Sequence, residues 1–243
     1  MLGWQLATVT GIRPDTPSVK SFTFALPDFT PHLAGQHYDI RLTAEDGYQA
    51  QRSYSIASEP MRTGELVLTV ERIPDGEVST YLHDVLVPGD RVELRGPIGG
   101  YFVWEAALGG PLLLIAGGSG VVPLLSMLRH RAGAASHVPT ALVYSSRTRE
   151  DVISFDELAA LAAGDPALHV LQTLTRSQPD GWTGYGRRID REMLADALRL
   201  LGGNAQVFIC GPTLLVEAAA EALVDLGLPP GQIKTERFGP TGA

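Results

Sequence analysis

This 243-residue chain is most constrained by a change in its hydrophobic pattern near residue 110. Before that point, short runs rich in Val, Thr, Tyr and Phe are separated by Gly, Pro and Asp, as is typical of antiparallel strands joined by turns. After it, near-continuous apolar runs alternate with helix candidates, a pattern that favours a parallel sheet covered by helices on both faces. The sequence therefore predicts two domains: an N-terminal antiparallel Greek-key β-barrel and a C-terminal doubly wound, Rossmann-like α/β domain.

We place the first domain at residues 1–100 and the second at 108–243, with a glycine-rich joint near 98–110. The strands predicted in the first domain are Trp4–Ile12, Val19–Leu26, His37–Thr43, Ala50–Ile56, Glu65–Arg72 and Arg91–Arg95, with one helix near Ser79–Leu86. Those predicted in the second are Pro111–Ala116, Thr140–Ser145, Leu168–Thr173, Gln206–Cys210 and Gln232–Glu236, with helices at Val122–Arg131, Phe155–Ala163, Arg191–Leu201 and Leu214–Leu226. Arg13-Pro14-Asp15 predicts a turn, and the spacing of Ser154 and Glu157 predicts a capping box that starts a helix.

Composition and charge limit the possible functions. The chain is 44% hydrophobic and 19% charged, as is typical of a globular protein, and no apolar run approaches the roughly 20 residues of a membrane span. Because no basic segment precedes an apolar one at the start, we expect no signal peptide and a cytoplasmic location. The single cysteine, Cys210, excludes an intrachain disulfide and a four-thiolate metal site, and we predict no metal. The net charge of -8 argues against binding to nucleic acid or to an anionic membrane.

A glycine-rich segment follows the first predicted strand of the second domain. It reads Gly117-Gly118-Ser119-Gly120-Val121 and leads into a helix. Glycines allow a close approach of backbone to ligand, and the first N–H groups of a helix attract phosphate. The segment is interpreted as a phosphate cradle, although a glycine-rich turn without a ligand gives the same pattern.

Two further strand ends should lie at the same edge of the sheet. One carries Ser146 and Arg147. An acidic residue at this position would favour the ribose of NAD, whereas a hydroxyl and a guanidinium suit a 2′-phosphate. The other carries Cys210-Gly211-Pro212, again before a helix. A solvated loop and a buried structural cysteine are the alternative interpretations of these two segments.

The barrel half has two candidate segments of its own. In Arg52-Ser53-Tyr54-Ser55, the alternation of a strand directs the guanidinium and the phenol to one face, where they could hold a phosphate and cover a flat ring. Downstream, the segment from Gly76 to Thr80 is a turn followed by hydroxyls at a helix start, which is a second candidate phosphate site. A surface strand and an ordinary helix cap remain alternatives. One dinucleotide on the barrel and another on the sheet would account for both sites together.

Taken together, these motifs resemble those of the ferredoxin–NADP reductase superfamily of flavoprotein reductases. The resemblance runs from about Trp4 to Gly239, with the motifs in the family's order. The matching motifs are Arg52-x-Tyr54-Ser55, Gly76-x-x-Ser79-Thr80, Gly96-Pro97-x-Gly99 with Tyr101-Phe102, Gly117-Gly118-Ser119-Gly120-x-x-Pro123, Cys210-Gly211-Pro212 and Glu236-x-Phe238.

The resemblance implies roles for the matching residues. Tyr54 would stack on the flavin ring and Ser55 would hydrogen-bond near flavin N5. Cys210 would lie against the nicotinamide, Glu236 would complete the polar side of the site, and Phe238 would shield the outer flavin face; Ser55, Cys210 and Glu236 are thus the implied catalytic residues. The implied cofactor-binding residues are Arg52, Ser53, Tyr54, Ser55, Ile73, Gly76, Val78, Ser79, Thr80, Gly117, Gly118, Ser119, Gly120, Val121, Ser146, Arg147, Cys210, Gly211, Pro212 and Phe238.

The implied activity is that of an FAD-dependent NAD(P)H oxidoreductase. A hydride would pass from the nicotinamide to flavin N5, and electrons would then pass to a separate ferredoxin, iron–sulfur protein or oxygenase component, because the chain lacks the four cysteines of a fused ferredoxin module. We expect NADPH to be favoured, with NADH possible. Two alternatives stay open: a reductase of free flavin or small acceptors, and a non-catalytic flavin-binding regulatory subunit. The scattered histidines, which include His37, His83, His130, His137 and His169, are interpreted as structural or surface residues.

Overall fold

The structure, a computed structural model, describes residues 2–61 and 64–238. Its first half is a six-stranded antiparallel sheet in the order β4-β3-β6-β1-β2-β5. An additional bridge between Ile56 and Leu68 joins the two outer strands and curls the sheet into a barrel. The strands are β1 (Gln5–Thr16), β2 (Val19–Ala25), β3 (His37–Thr43), β4 (Gln49–Ser55), β5 (Glu65–Glu71) and β6 (Arg91–Ile98), and one helix, α1 (Glu77–Asp84), lies between β5 and β6. The predicted antiparallel Greek-key barrel is confirmed.

Alternating side chains fill the barrel. Phe22 and Phe24 of β2, Leu66 and Leu68 of β5 and Leu94 of β6 are fully buried in one cluster. These positions are two residues apart within each strand, so each strand presents one apolar face to the interior. On the other face, Thr23 of β2 and Val67 of β5 line a cavity together with Arg129 of the second half.

The turn predicted at Arg13-Pro14-Asp15 is wrong, because β1 continues through these residues to Thr16. Pro14 lies opposite Lys20, next to a register shift in the pairing of β1 with β2. A proline has no N–H to donate, and an irregularity in the ladder is where a strand tolerates that loss. The chain reverses only after Thr16.

The second half is a five-stranded parallel sheet in the order β11-β10-β7-β8-β9. Its strands are β7 (Leu112–Gly117), β8 (Thr140–Ser146), β9 (Leu168–Leu174), β10 (Gln206–Pro212) and β11 (Ile233–Phe238). Its helices are α2 (Val121–Gly133), α3 (Phe155–Gly164), α4 (Arg191–Leu200) and α5 (Thr213–Asp225). Two separate apolar clusters cover the two faces, one containing Leu114 and Phe208 and the other Ile115 and Ile209. The predicted doubly wound domain is confirmed.

The capping box predicted at Ser154 and Glu157 is wrong, although α3 does begin at Phe155. Ser154 has a left-handed backbone, with φ of 55°, and its side chain caps no backbone N–H. An N-cap side chain reaches those groups from an extended backbone, which Ser154 lacks. The carboxylate of Glu157 instead binds the guanidinium of Arg129 on α2. A capping box with both reciprocal bonds lies earlier, at Thr148 and Asp151.

Helix α2 also joins the two halves of the molecule. The hydroxyl of Ser126 donates to the carbonyl of Ser58 at 2.8 Å, and the guanidinium of Arg129 donates to the carbonyl of Ala57 at 2.5 Å. Both acceptors lie just after β4, so α2 is fixed against the barrel. Within residues 2–61 and 64–238, none of the helices is long and apolar enough to cross a membrane.

Candidate active site

The candidate site of the α/β domain lies where the strand order reverses. β7 has β8 on one side and β10 on the other, and the chain segments after β7 and β10 diverge from this point. Ligands of open parallel sheets bind in such a crevice, beyond the carboxyl ends of the strands. The predicted Gly117–Gly120 and Cys210–Pro212 segments both lie there, and the structure brings them into contact.

Glycine is required where the two segments touch. A Cβ built on Gly120 would lie 2.1 Å from the carbonyl oxygen of Cys210, and one on Gly117 would lie 3.0 Å from Cδ of Pro212. Gly118 has a left-handed backbone, with φ of 54°, and open space around it. No side chain caps the start of α2, which follows a single 3-10 turn at Gly118–Gly120. The turn therefore presents backbone N–H groups and little else, as an anion-binding segment should.

Ser119 links this turn to the barrel. Its hydroxyl donates to the Oε2 atom of Glu71, at the end of β5, at a distance of 2.6 Å. Glu71 could not be identified from the sequence, because nothing in the local pattern around it marks a functional residue. Only the docking of the two halves places this carboxylate at the predicted phosphate cradle.

Cys210 and Glu236 are direct neighbours on β10 and β11. Burial raises the pKa of the Glu236 carboxyl to about 7. Burial, together with the charge of Glu236, raises the pKa of the fully buried Cys210 thiol well above its usual value. Cys210 is thus a neutral thiol at physiological pH, and Glu236 is a group that can carry or release a proton there. Phe238 lies half-buried at the end of β11, opposite Pro212.

On the barrel side, β4 carries Arg52 and Tyr54 on one face, as predicted. Arg52 pairs with Ile40 and Tyr54 with Tyr38, both of which point into the barrel. Burial raises the pKa of Tyr54 to about 12, so its phenol stays protonated. Arg52 is exposed and makes no ion pair with the residues that the structure describes. An unpaired guanidinium beside a half-buried aromatic ring fits a ligand that has both a phosphate and a flat ring.

Ser53 and Ser55 face the other side of β4. The hydroxyl of Ser53 donates to Oδ1 of the buried Asp39 at 2.6 Å, so its side chain is already used. Ser55 is buried and lies opposite His37. Because the N–H of Ile56 donates to the carbonyl of Gln36, the next pair, 37 and 55, is of the non-hydrogen-bonded type, in which side chains are closest. Burial lowers the pKa of His37, an effect that Asp39 opposes, so the residue paired with Ser55 carries a largely neutral imidazole.

The turn before α1 is shaped by Ser79. Its buried hydroxyl accepts the N–H of Ile73 at 3.2 Å and donates to the carbonyl of Gly76 at 3.4 Å. The hydroxyl implied to bind pyrophosphate is therefore used within the turn, which leaves the backbone of Ser79 for that role. Gly76 opens α1 without a side-chain cap, and Val78 is buried while Thr80 is half-buried. The first N–H groups of this helix are accordingly available for an anion.

The predicted 2′-phosphate loop has an unpredicted neighbour. Ser146 is 5% exposed, while Arg147 is exposed and makes no ion pair among the described residues. The carbonyl of Arg147 accepts the N–H of Arg176 at 2.8 Å, so a second exposed arginine lies beside it after β9. The sequence pattern gave no reason to connect two positions this far apart. The two exposed arginines are thus neighbours in the backbone at the edge of the sheet, and we call this pair the cationic corner.

The residues present fit FAD on the barrel and a nicotinamide dinucleotide on the sheet. Each half supplies an uncapped helix start for phosphates, and the two ring-binding candidates, Tyr54 and Cys210, belong to different halves. In the described part of the chain, no group of three or more His, Cys, Asp or Glu residues is placed to hold a metal ion.

Comparison with known proteins matches both halves separately. Residues 7–103 match the model of an oxidoreductase FAD-binding domain, and residues 114–221 match that of an oxidoreductase NAD-binding domain. The chain is 36% identical over 240 residues to ferredoxin–NADP reductase B of Sorangium cellulosum, covering 96% of each protein. It is 32% identical to the glycine betaine monooxygenase reductase subunit of Chromohalobacter salexigens, covering 94% of this chain but 62% of that protein. The crystal structure of a cytochrome P450 reductase from Amycolatopsis superposes with a TM-score of 0.85 at 26% identity, covering 99% of this chain and 71% of the other.

Proposed function

The chain belongs to the ferredoxin–NADP reductase family, and from this premise we propose that it carries electrons from NADPH, through bound FAD, to a separate redox protein. The observation that supports this best is the hydrogen bond between Ser119 and Glu71. It joins the glycine turn of the sheet to the end of β5, just before the Ile73–Ser79 turn of the barrel. The predicted phosphate turn of the sheet is therefore bonded to the strand that leads into the predicted phosphate turn of the barrel, which supports the binding of one dinucleotide by each half.

The residues would divide the work between the two halves. Bound FAD would supply the redox chemistry, since flavin accepts a hydride at N5 and can release electrons singly. Arg52 and the start of α1 would hold its phosphates, and Tyr54 would cover its ring. Ser55, oriented by the neighbouring His37, would donate a hydrogen bond near N5. On the sheet side, Gly118–Val121 would hold the nicotinamide dinucleotide.

Cys210 and Glu236 would form the nicotinamide side of the site. A neutral thiol is a small and weakly polar neighbour for a flat ring. Because Cys210 is fully buried in this structure, the side chains around it would have to move before a nicotinamide could contact it. The carboxyl group of Glu236, with its pKa of about 7, would hold a proton through part of the cycle without adding a charge to the buried site. Phe238, at the end of the neighbouring strand, would limit access to the flavin face.

NADPH is the proposed donor because of the cationic corner. Arg147 and Arg176 are exposed and unpaired among the described residues, and charge-assisted bonds from guanidinium groups suit a 2′-phosphate. Steady-state rates with the two donors test this. A kcat/KM at least several-fold higher with NADPH is expected, and equal or better use of NADH contradicts the preference.

The proposed acceptor is a ferredoxin, an iron–sulfur protein or an oxygenase component. Several relatives are named as reductase or electron-transfer components of oxygenases, and this chain spans 62% of the length of those proteins. We also propose a cytoplasmic location, which remains a prediction from the sequence.

An absorbance spectrum of the purified protein before and after anaerobic NADPH tests the core of the proposal. A flavin spectrum that bleaches on addition of NADPH is expected. Protein that purifies colourless but turns over added FMN identifies a reductase of free flavin instead. Bound flavin that no nicotinamide donor reduces identifies a non-catalytic flavin-binding subunit.

The role of Ser55 is tested by Ser55→Ala. Because its predicted hydrogen bond is made near the hydride acceptor, we expect flavin reduction in stopped flow to slow by at least about tenfold, with little change in NADPH affinity. FAD content serves as the control for folding. An unchanged reduction rate removes Ser55 from the mechanism.

A further inference from the structure

Glu71 puts a negative charge at the glycine turn. Its carboxylate accepts the hydroxyl hydrogen of Ser119 at 2.6 Å. Within the described residues, no Lys or Arg forms an ion pair with it, and the adjacent Arg72 pairs with Asp84 at 2.8 Å instead. Among the described residues, the charge of Glu71 is therefore not balanced by a paired cation.

The influence of this charge extends toward the carboxyl edge of the sheet. Tyr144, near the end of β8, is fully buried, and its pKa is raised to about 12 by burial in the first place and also by the charge of Glu71. The carboxylate thus lies at the edge where the turn, β7 and β8 meet. An anion bound on Gly118–Val121 would lie in the same region.

We infer that Glu71 is a determinant of nucleotide affinity that weakens the binding of the nicotinamide dinucleotide. The inference rests on the proposed function, because it assumes that the pyrophosphate binds at this turn. A pyrophosphate diester is an anion, and like charges in a partly buried site repel each other. In addition, the Ser119 hydroxyl, which could donate to the nucleotide, is held by the carboxylate. Glu71 acts through charge and through Ser119, and it takes no part in hydride transfer.

Weakened binding has a use in a cycle that must release its oxidised nucleotide. Interactions that bind substrate and transition state equally lower KM without raising kcat, and product release limits many enzymes. A carboxylate at the turn would speed the dissociation of the oxidised nucleotide, so that a reduced one could replace it. Its removal should lower KM for NADPH while kcat stays the same or falls.

The test compares Glu71→Gln and Glu71→Ala with the wild-type holoenzyme by isothermal titration calorimetry with NADP+. Gln keeps an oxygen that can accept the Ser119 hydroxyl but removes the charge, and Ala removes both. Glu59→Gln is the matched control, because Glu59 is a barrel carboxylate that lies against Gly133 at the other end of α2, roughly 20 Å away by the rise of a 13-residue helix.

Both Glu71 variants should bind NADP+ about three- to tenfold more tightly at low salt, with a smaller gain at about 0.5 M NaCl, where charges are screened. The Glu59→Gln protein should bind as the wild type does. FAD absorbance confirms that each variant is folded.

Several results would overturn the inference. Equal or weaker binding by Glu71→Gln, a gain that is independent of salt, or the same gain in Glu59→Gln each shows that the Glu71 charge does not limit affinity. A wild-type holoenzyme that binds neither NADP+ nor NAD+ contradicts the proposed function itself, so the two failures are distinguishable.

Discussion

The two glycine turns of the molecule open helices in the same way but are held in place differently. The barrel turn, Ile73–Ser79, is organised from within, since the hydroxyl of Ser79 bonds to the backbone at both Ile73 and Gly76. The sheet turn, Gly117–Gly120, is organised from outside, by backbone contact with Cys210 on β10 and by the hydrogen bond from Ser119 to the barrel. A ligand site in the first depends on local sequence, whereas a site in the second depends on tertiary packing.

This difference predicts which perturbations stay local. Changes in the barrel turn should affect FAD alone, while changes in the sheet turn should affect stability and nucleotide binding together.

Gly120→Ala should have the largest effect. The backbone of Gly120 has an ordinary helical φ of -59°, so alanine is not strained there, but its Cβ would lie 2.1 Å from the backbone oxygen of Cys210. We expect a loss of roughly 3 kcal/mol of unfolding free energy, measured by urea titration, together with loss of NADP+ binding.

Two controls sharpen this result. In Gly76→Ala in the barrel turn, the new Cβ would lie 2.5 Å from the Ser79 hydroxyl and 3.0 Å from the backbone oxygen of Ile73. These overlaps are smaller than the one at Gly120, so this variant should cost less. Gly231→Ala, where nothing lies within 4 Å, should cost little. A Gly120 variant as stable as the Gly231 variant would remove the claim that packing fixes the sheet turn.

Arg52→Ala should be the next largest, and confined to the barrel site. Loss of a charge-assisted bond to phosphate should weaken FAD binding by about tenfold or more, while NADP+ affinity and the stability of the apoprotein change little. Flavin content after dialysis measures the effect, with the exposed Arg91→Ala as control. Full flavin retention would contradict the assigned role.

Glu236→Gln should change stability in a pH-dependent way. The folded-state pKa of Glu236, about 7, lies above its ordinary value of 4.5, so stability is full below pH 4.5 and is lost as pH rises through 7. Gln carries no charge, and the variant should therefore be more stable than the wild type by about 1–2 kcal/mol at pH 8, with a smaller difference at pH 5. Denaturant unfolding of both proteins at both pH values checks this. If the difference in unfolding free energy between them were the same at pH 5 and pH 8, burial would not raise the pKa of Glu236.

The smallest effect concerns the bond of His32 to the Ser58 carbonyl, which also accepts the Ser126 hydroxyl of α2. His32 is 3% exposed and bonds through Nε2 to the carbonyl of Ser58, and burial lowers its pKa. At lower pH, His32 therefore binds a proton in the unfolded chain but not in the folded one. Stability should consequently fall as pH decreases below about 6.5, by up to about 1 kcal/mol per pH unit. In His32→Gln this slope should be reduced; parallel unfolding curves for the two proteins between pH 7 and 5.5 would contradict it.

Much of the fold was predictable from local pattern. The alternation in β2 and the apolar run in β7 identified strands because their side-chain period is set by the backbone itself. The errors have local causes too. Pro14 lies in a strand irregularity instead of a turn, and Ser154 has a backbone that cannot cap. Neither conformation is specified by the residue type alone.

Motifs identified candidate residues but not their partners. The hydroxyl of Ser79 bonds within the turn and that of Ser53 bonds to Asp39, while the contact of either residue with a cofactor stays a prediction. A short motif specifies which groups are available. It does not specify which of them the protein uses itself.

By itself, the sequence determined the two domain architectures and the positions of the glycine turns. The reason is that strand period, helix period and glycine's conformational freedom act over a few neighbouring residues. Tertiary structure alone decided that Glu71 meets Ser119, that His37 lies beside Ser55 and that Arg147 has Arg176 as a neighbour. The physical reason is that hydrogen bonds and charge interactions act over a few ångströms of space, and only packing of the barrel, the strands and the sheet brings such distant positions within that range.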